Sequence, residues 1–177
     1  MGKGLTPDWQ LHSVFDIDLE QLRAMGRTSL IFDLDNTLTG WNSYTISPET
    51  KEWVRSLKEQ SFQALILSNN HRERIAAIAG CLEIPFVERA GKPRKRGYLQ
   101  AAARLGVTPE KAVMVGDQIF TDVFGANRAG LFTILVDPLE KREYWGTKIS
   151  RFFERTVMRR RPVSSSQPGT LPGRKQT

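Results

Sequence analysis

Five short apolar runs, separated by helical patterns, constrain this chain more than any other feature of its 177 residues. Ser29-Leu30-Ile31-Phe32, Ala64-Leu65-Ile66-Leu67, Ile84–Val87 (with Pro85 at its edge), Ala112–Val115 and Leu131–Val136 each read as a strand. They are continuously apolar rather than alternating, so both faces of each strand need covering. Continuous strands separated by helices predict a parallel sheet buried on both sides.

The intervening segments carry helix punctuation. Ser47 and Pro48 offer an N-cap and a first-turn proline for a helix through Gln60. Asn70 with Glu73 resembles a capping arrangement for a helix ending at Gly80. Pro93 opens a helix over Arg94–Leu105 that stops at Gly106. Another runs from about Phe120 to Ala129 and stops at Gly130, and Asp18 caps a short helix ending at Gly26. Asp16, two residues earlier, is read as a solvated charge. Residues 1–139 are therefore expected to form a small doubly wound α/β domain of about five parallel strands, without internal repeats.

The net charge of +7 divides unevenly. Residues 1–139 hold 16 Lys+Arg against 16 Asp+Glu, and residues 140–177 hold 10 against 3. Any attraction to polyanions therefore belongs to the C-terminal segment. There, Trp145, Ile149, Phe152, Phe153 and Val157 share one helical face, and Lys148, Arg151, Arg155 and Arg159 lie off it. Residues 140–161 are expected to form a basic amphipathic helix, which either packs on the domain or lies on an anionic membrane surface through Tyr144–Arg161. Pro, Ser, Gly and Gln dominate residues 162–177, a disordered composition. Nucleic acid ranks below lipid as a partner because no recognition-fold signature accompanies the charge.

No apolar run approaches the roughly 18 residues of a transmembrane helix. The N-terminal residues lack a signal-peptide core, so a cytoplasmic location is expected. A lone cysteine, Cys81, excludes an internal disulfide framework.

The chemistry sits at the strand ends. The first strand runs into Asp33-Leu34-Asp35-Asn36-Thr37, the second into Ser68-Asn69-Asn70, and the fourth into Gly116-Asp117-Gln118…Asp122; Lys92 follows the third. The C-terminal edge of an open parallel sheet is where such folds bind ligands. Several carboxylates converging there call for a cation or a function. His12 and His71 have no metal-ligand spacing and read as surface or capping residues, and Trp41 as core packing ahead of a substrate contact.

These four segments resemble the four motifs of the haloacid dehalogenase superfamily, in order and in register over about residues 28–136. With Trp41 and Ala90-Gly91-Lys92-Pro93, the chain is similar to the YqeG-type branch of subfamily IIIA and to mitochondrial phosphatidylglycerophosphate phosphatases. The resemblance implies a Mg²⁺-dependent phosphatase that works through an aspartyl-phosphate. In it, Asp33 is the nucleophile and Asp35 the general acid and base. Ser68, Asn69 and Lys92 hold the phosphoryl group, and Lys92 also neutralises the charge of nucleophile and phosphate. Asp33, the main-chain carbonyl of Asp35, Asp117 and Asp122 surround the metal, and Asp122 orients Lys92 or a metal-bound water. Gln118 departs from the family's usual second acidic residue in the fourth motif. Members carry a cap either after the first motif or between the second and third, and neither gap here has room for one.

The cluster Arg94, Lys95 and Arg96 is open to two readings, a solvated helix start or a contact for an anionic headgroup. The expected substrate is phosphatidylglycerophosphate, met peripherally at the inner face of a membrane. Two alternatives stand beside it: a phosphatase of soluble or macromolecular esters, and a non-catalytic RNA-binding or scaffold protein on the same fold.

Overall fold

A computed structural model of the chain describes residues 4–140. Six parallel strands form one sheet in the order β1-β6-β5-β2-β3-β4. They are β1 (Trp9–Leu11), β2 (Ser29–Phe32), β3 (Gln63–Leu67), β4 (Phe86–Val87), β5 (Ala112–Gly116) and β6 (Phe132–Val136). Five of them follow the five apolar runs. The first is additional, raising the expected count by one.

β1 escapes the apolar pattern because it is three residues long and lies at the edge, pairing only with β6. Side-chain contacts hold it there. The Asp8 carboxylate accepts from the main-chain N–H of Thr133 at 3.0 Å, and the Trp9 ring stands edge-on to Phe132. At the opposite edge β4 is shortened to Phe86–Val87, and Ile84 and Pro85 lead into it.

Five helices cover the sheet: α1 (Leu19–Ala24), α2 (Pro48–Glu59), α3 (Arg72–Leu82), α4 (Lys95–Arg104) and α5 (Gly125–Ala129). Successive strand residues point to opposite faces, and two cores result. Leu30, Phe32, Ile66, Val113 and Val115 meet Leu22 of α1, Val54 and Leu57 of α2, and Ile75 and Ile78 of α3. On the other face Ile31, Leu65, Leu67 and Met114 meet Tyr98, Ala101 and Ala102 of α4 and Ala126 of α5. This is the doubly wound arrangement.

The capping expectations fare unevenly. Ser47 accepts from Thr50 N–H at 3.0 Å, and Asp18 from Gln21 N–H at 2.8 Å, as expected. Asp16 is more than a solvated charge. It accepts from Ser13 N–H at 2.9 Å and closes a capping box on the short turn Val14–Asp16. Helix α3 begins after His71, which makes no side-chain capping bond, and it runs past Gly80 to Leu82. Asn70 is engaged elsewhere. The helix expected from Phe120 has two parts: a π-helical turn, Ile119–Phe124, continues into α5.

Only α2 lies between β2 and β3, and only α3 between β3 and β4. The C-terminal edge of the sheet therefore carries no inserted domain at either position. Among the described residues no helix is long and apolar enough to cross a membrane. The expectations for 140–161 and 162–177, including the amphipathic helix Tyr144–Arg161, fall outside the described residues except at Glu140.

Candidate active site

The central strand β2 delivers Asp33. Its main chain still follows the sheet, with Asp33 N–H donating to Val115 O at 2.9 Å, while its carboxylate emerges at the strand end, 4% exposed. The chain then turns at once. Asn36 takes a left-handed φ of 60°, and the main-chain N–H groups of Leu38 and Thr39 both donate to Leu34 O. That turn leaves Asp33 and Asp35 buried beside each other's segment instead of carried away by a helix.

β5 and the π-helical turn after it deliver the other acids. The wide turn lets both Asp122 N–H and Val123 N–H reach Gln118 O, and it folds the Asp122 carboxylate back over Gly116. A Cβ on Gly116 would run into that carboxyl group, so the approach needs glycine. The Asp122 Oδ2 accepts from Gln118 N–H at 3.1 Å. Gln118 thus serves through its main chain at the position where an acidic side chain is more usual.

Lys92 joins the two carboxylates. Its Nζ donates to Asp33 Oδ1 and to Asp122 Oδ1, each at 2.7 Å, with all three side chains buried. Burial works against the ammonium charge, yet Asp122 and Asp33 outweigh it and hold Lys92 above the ordinary lysine range. Burial pushes Asp33 up to about 6 even with Lys92 beside it. Asn69 fixes the lysine's backbone: its Oδ1 accepts from Lys92 N–H at 2.8 Å and its Nδ2 donates to Lys92 O at 3.2 Å. Tyr98, buried beneath, donates its hydroxyl to Thr121 O and braces the π-helical turn from α4. Ser68 is buried at the end of β3, its Oγ accepting from Asn70 N–H at 3.2 Å.

Asp33, Asp117 and Asp122 bring carboxylate oxygens within 4.8 Å of one another. Asp117 Oδ1 is buried and has no hydrogen-bond partner. Burial first, and then the neighbouring Asp33 and Asp122 charges, push Asp117 up to about 8. An orphaned carboxylate oxygen beside two further hard oxygen donors fits a small divalent cation.

Asp35 stands apart from this cluster. Its Oδ1 accepts from Asn42 N–H at 2.9 Å, its Oδ2 accepts from Asn70 Nδ2, and Arg74 Nη1 donates to Oδ2 at 3.0 Å. Arg74 lies outside the motif segments, and Asn70, though within the second, has no role assigned there. A signal for Arg74 was present: a lone charge on the buried stripe Arg74, Ile75, Ile78, Ala79 and Leu82 needs an interior partner. Arg94, Lys95 and Arg96 are exposed at the start of α4, and Trp41 is half-buried.

An acid-lined edge of a doubly wound sheet, with one lysine bridging acids that follow two of its strands, fits a phosphoryl-transfer hydrolase. The comparisons agree. The family model of haloacid dehalogenase-like hydrolases matches residues 16–130, and the chain belongs to that family. It is 35% identical over 156 residues to the "Probable phosphatase YqeG" of Bacillus subtilis (strain 168), covering 88% of this chain and 91% of that one. It is 29% identical over 148 residues to the chloroplastic phosphatidylglycerophosphate phosphatase 1 of Chlamydomonas reinhardtii, covering 78% of this chain and 55% of that longer one. Among solved structures, an uncharacterized protein from Listeria monocytogenes serotype 4b superposes with a TM-score of 0.55 at 23% identity, over 66% of this chain and 84% of that one. The chain is a phosphatase of the haloacid dehalogenase family, similar to the YqeG type.

Proposed function

We propose that the chain hydrolyses a phosphate monoester through an aspartyl-phosphate on Asp33, and that its substrate is phosphatidylglycerophosphate. The observation that carries the mechanism is Lys92 held at 2.7 Å from both Asp33 and Asp122. Lys92 takes Asp33 Oδ1, which leaves Oδ2 to attack phosphorus. As that O–P bond forms, the bond to the leaving alkoxide breaks, and Asp35 supplies the proton the alkoxide needs. Water then attacks the phosphorus of the aspartyl-phosphate, gives its proton to Asp35, and Asp33 is released with inorganic phosphate. Ser68 and Lys92 hold phosphoryl oxygens throughout. Asn69 acts on the same group by fixing the Lys92 main chain, and its remaining amide hydrogen is available to a phosphoryl oxygen. Asp33, Asp117, Asp122 and the carbonyl of Asp35 would hold Mg²⁺, which when bound offsets the charge of the phosphoryl group.

Three features support the lipid substrate. Among the described residues no inserted domain lies over the catalytic edge, which leaves it open to a headgroup anchored in a bilayer. Arg94, Lys95 and Arg96 stand exposed next to Lys92, where they would meet a second phosphate or an anionic surface. The relatives named for phosphatidylglycerophosphate align over more than two thirds of this chain. Attachment to the membrane surface is assigned to Tyr144–Arg161.

Replacing Asp33 with Asn is expected to abolish both turnover and phosphoenzyme formation; retained turnover refutes the mechanism. Hydrolysis of dispersed phosphatidylglycerophosphate compared with a panel of nucleotides and sugar phosphates tests the substrate. Without a preference for the lipid, the soluble-ester reading takes its place.

A further inference from the structure

Arg74 is a buried cation that the reaction above does not use. It sits in the first turn of α3, 5% exposed, and contacts two different parts of the catalytic edge. Its Nη1 donates to Asp35 Oδ2 at 3.0 Å, and Nη2 stands 2.8 Å from Asp35 Oδ1 as an ion-pair contact without hydrogen-bond geometry. Its Nε donates to the main-chain carbonyl of Ser43 at 2.9 Å. The loop carrying Ser43 also returns to the same carboxylate, through Asn42 N–H on Asp35 Oδ1 at 2.9 Å. Thr39 Oγ1, donating to Thr45 O at 2.6 Å, closes the loop's far end. One guanidinium therefore ties the side chain of Asp35 and the 40–45 loop into a single unit. It makes no contact with Asp33, Lys92 or Asp122, which form a separate network.

A buried ion pair is weak evidence for a stabilising role, because desolvating two charges offsets most of their attraction. What the planar fork does supply is direction. A guanidinium can aim one donor at a carboxylate oxygen and another at a main-chain carbonyl from the same rigid plane, as Nη1 and Nε do here, which an ammonium cannot do.

We propose that Arg74 is the positioning residue of the acid/base step: by holding Asp35 and the 40–45 loop together, it governs proton delivery to the leaving oxygen without affecting attack by Asp33. The proposal rests on the reading of Asp35 as the acid and base.

Leaving-group chemistry separates the two steps. A nitrophenolate departs without a proton, whereas an alkoxide requires one. The test compares kcat/KM of the full chain, with Mg²⁺, for p-nitrophenyl phosphate and for glycerol phosphate. Arg74→Gln is expected to lower the alkyl value by about 10²-fold, the lower end of general-acid contributions, and the nitrophenyl value by less than about fivefold, since that leaving group needs no proton. Arg74→Lys is expected to keep this bias, because lysine restores the charge without the fork. Equal losses on both esters, or no loss, would overturn the proposal.

The single change leaves Asp35 buried without its cation and could unfold the chain. The paired change Asp35→Asn with Arg74→Gln removes both charges and closes a double-mutant cycle. If Arg74 acts through Asp35, the double variant matches Asp35→Asn on both esters. A further loss on both would assign Arg74 to the scaffold and overturn the proposal. If Asp35→Asn shows no leaving-group bias, the acid/base reading fails together with the inference. If that bias is present but Arg74→Gln loses evenly, only the role of Arg74 fails.

Discussion

Gly116 shows how closely the site is set at the level of a single residue. Glycine is required there because the Asp122 carboxyl group occupies the space a Cβ would take. Gly116→Ala should push Asp122 off the Lys92 ammonium and leave that cation with one of its two buried partners. We expect about a 10²-fold loss in kcat/KM for an aryl phosphate, the scale of an ångström-level misplacement. The added methyl should also destabilise the fold by about 1–3 kcal/mol, as overpacking does. Steady-state kinetics and a urea melt on the same preparation check both. The placement of Asp33, Asp35, Ser68, Lys92, Asp117 and Asp122 along one sheet edge was legible because each follows a strand, and strand ends are readable from apolar runs. Arg74 and the second task of Asn70 were not. Their partner lies more than 30 positions earlier in the chain, and such pairing leaves no local periodicity.

Local signals located the elements wherever the element satisfied its own needs. Helix α2 has a serine cap, a first-turn proline and an apolar stripe, and its expected and observed limits differ by one residue. Ser47→Ala removes the side-chain acceptor for Thr50 N–H and should lower stability by about 1 kcal/mol, read as a shift in the urea midpoint at constant slope. Elements that depend on tertiary partners were harder to read. β1 exists because Asp8, Trp9 and Thr133 meet across more than 120 positions. The π-helical turn arises where Asp122 has to fold back over Gly116, a demand made by the site and not by helix propensity. The start of α3 shifted from Asn70 to His71 for a similar reason, since the Asn70 side chain is turned toward Asp35, to which its Nδ2 donates.

At the scale of the whole molecule, residues 1–139 are charge-balanced and the excess charge belongs to the sequence that follows them. The described residues lie within one compact unit, Met1–Glu140, and its last turns belong to it: Leu139 N–H donates to Asn36 O at 3.0 Å, beside the nucleophile loop. A chain ending after Glu140 keeps that contact. It should melt as cooperatively as the full chain and hydrolyse p-nitrophenyl phosphate at an unchanged rate. If Tyr144–Arg161 carries the membrane attachment, the shortened chain should also lose co-sedimentation with vesicles containing phosphatidylglycerol. Equal sedimentation of the two forms would move the attachment onto the catalytic unit.

The three clustered acids outnumber the one lysine that serves them, and Asp117 has an oxygen with no partner at all. A fold arranged this way is in tension with itself when all three acids are ionised and no cation is bound, so its stability should report added magnesium directly, as any ligand taken up by the native state alone raises the melting temperature. Magnesium titrated into chelator-treated protein should raise the Tm progressively. Above about pH 8, where Asp117 is ionised, Asp117→Asn should melt higher than the native chain in chelator, and it should respond little to magnesium. The enzyme would then act as its own thermometer for the ion, readable without substrate.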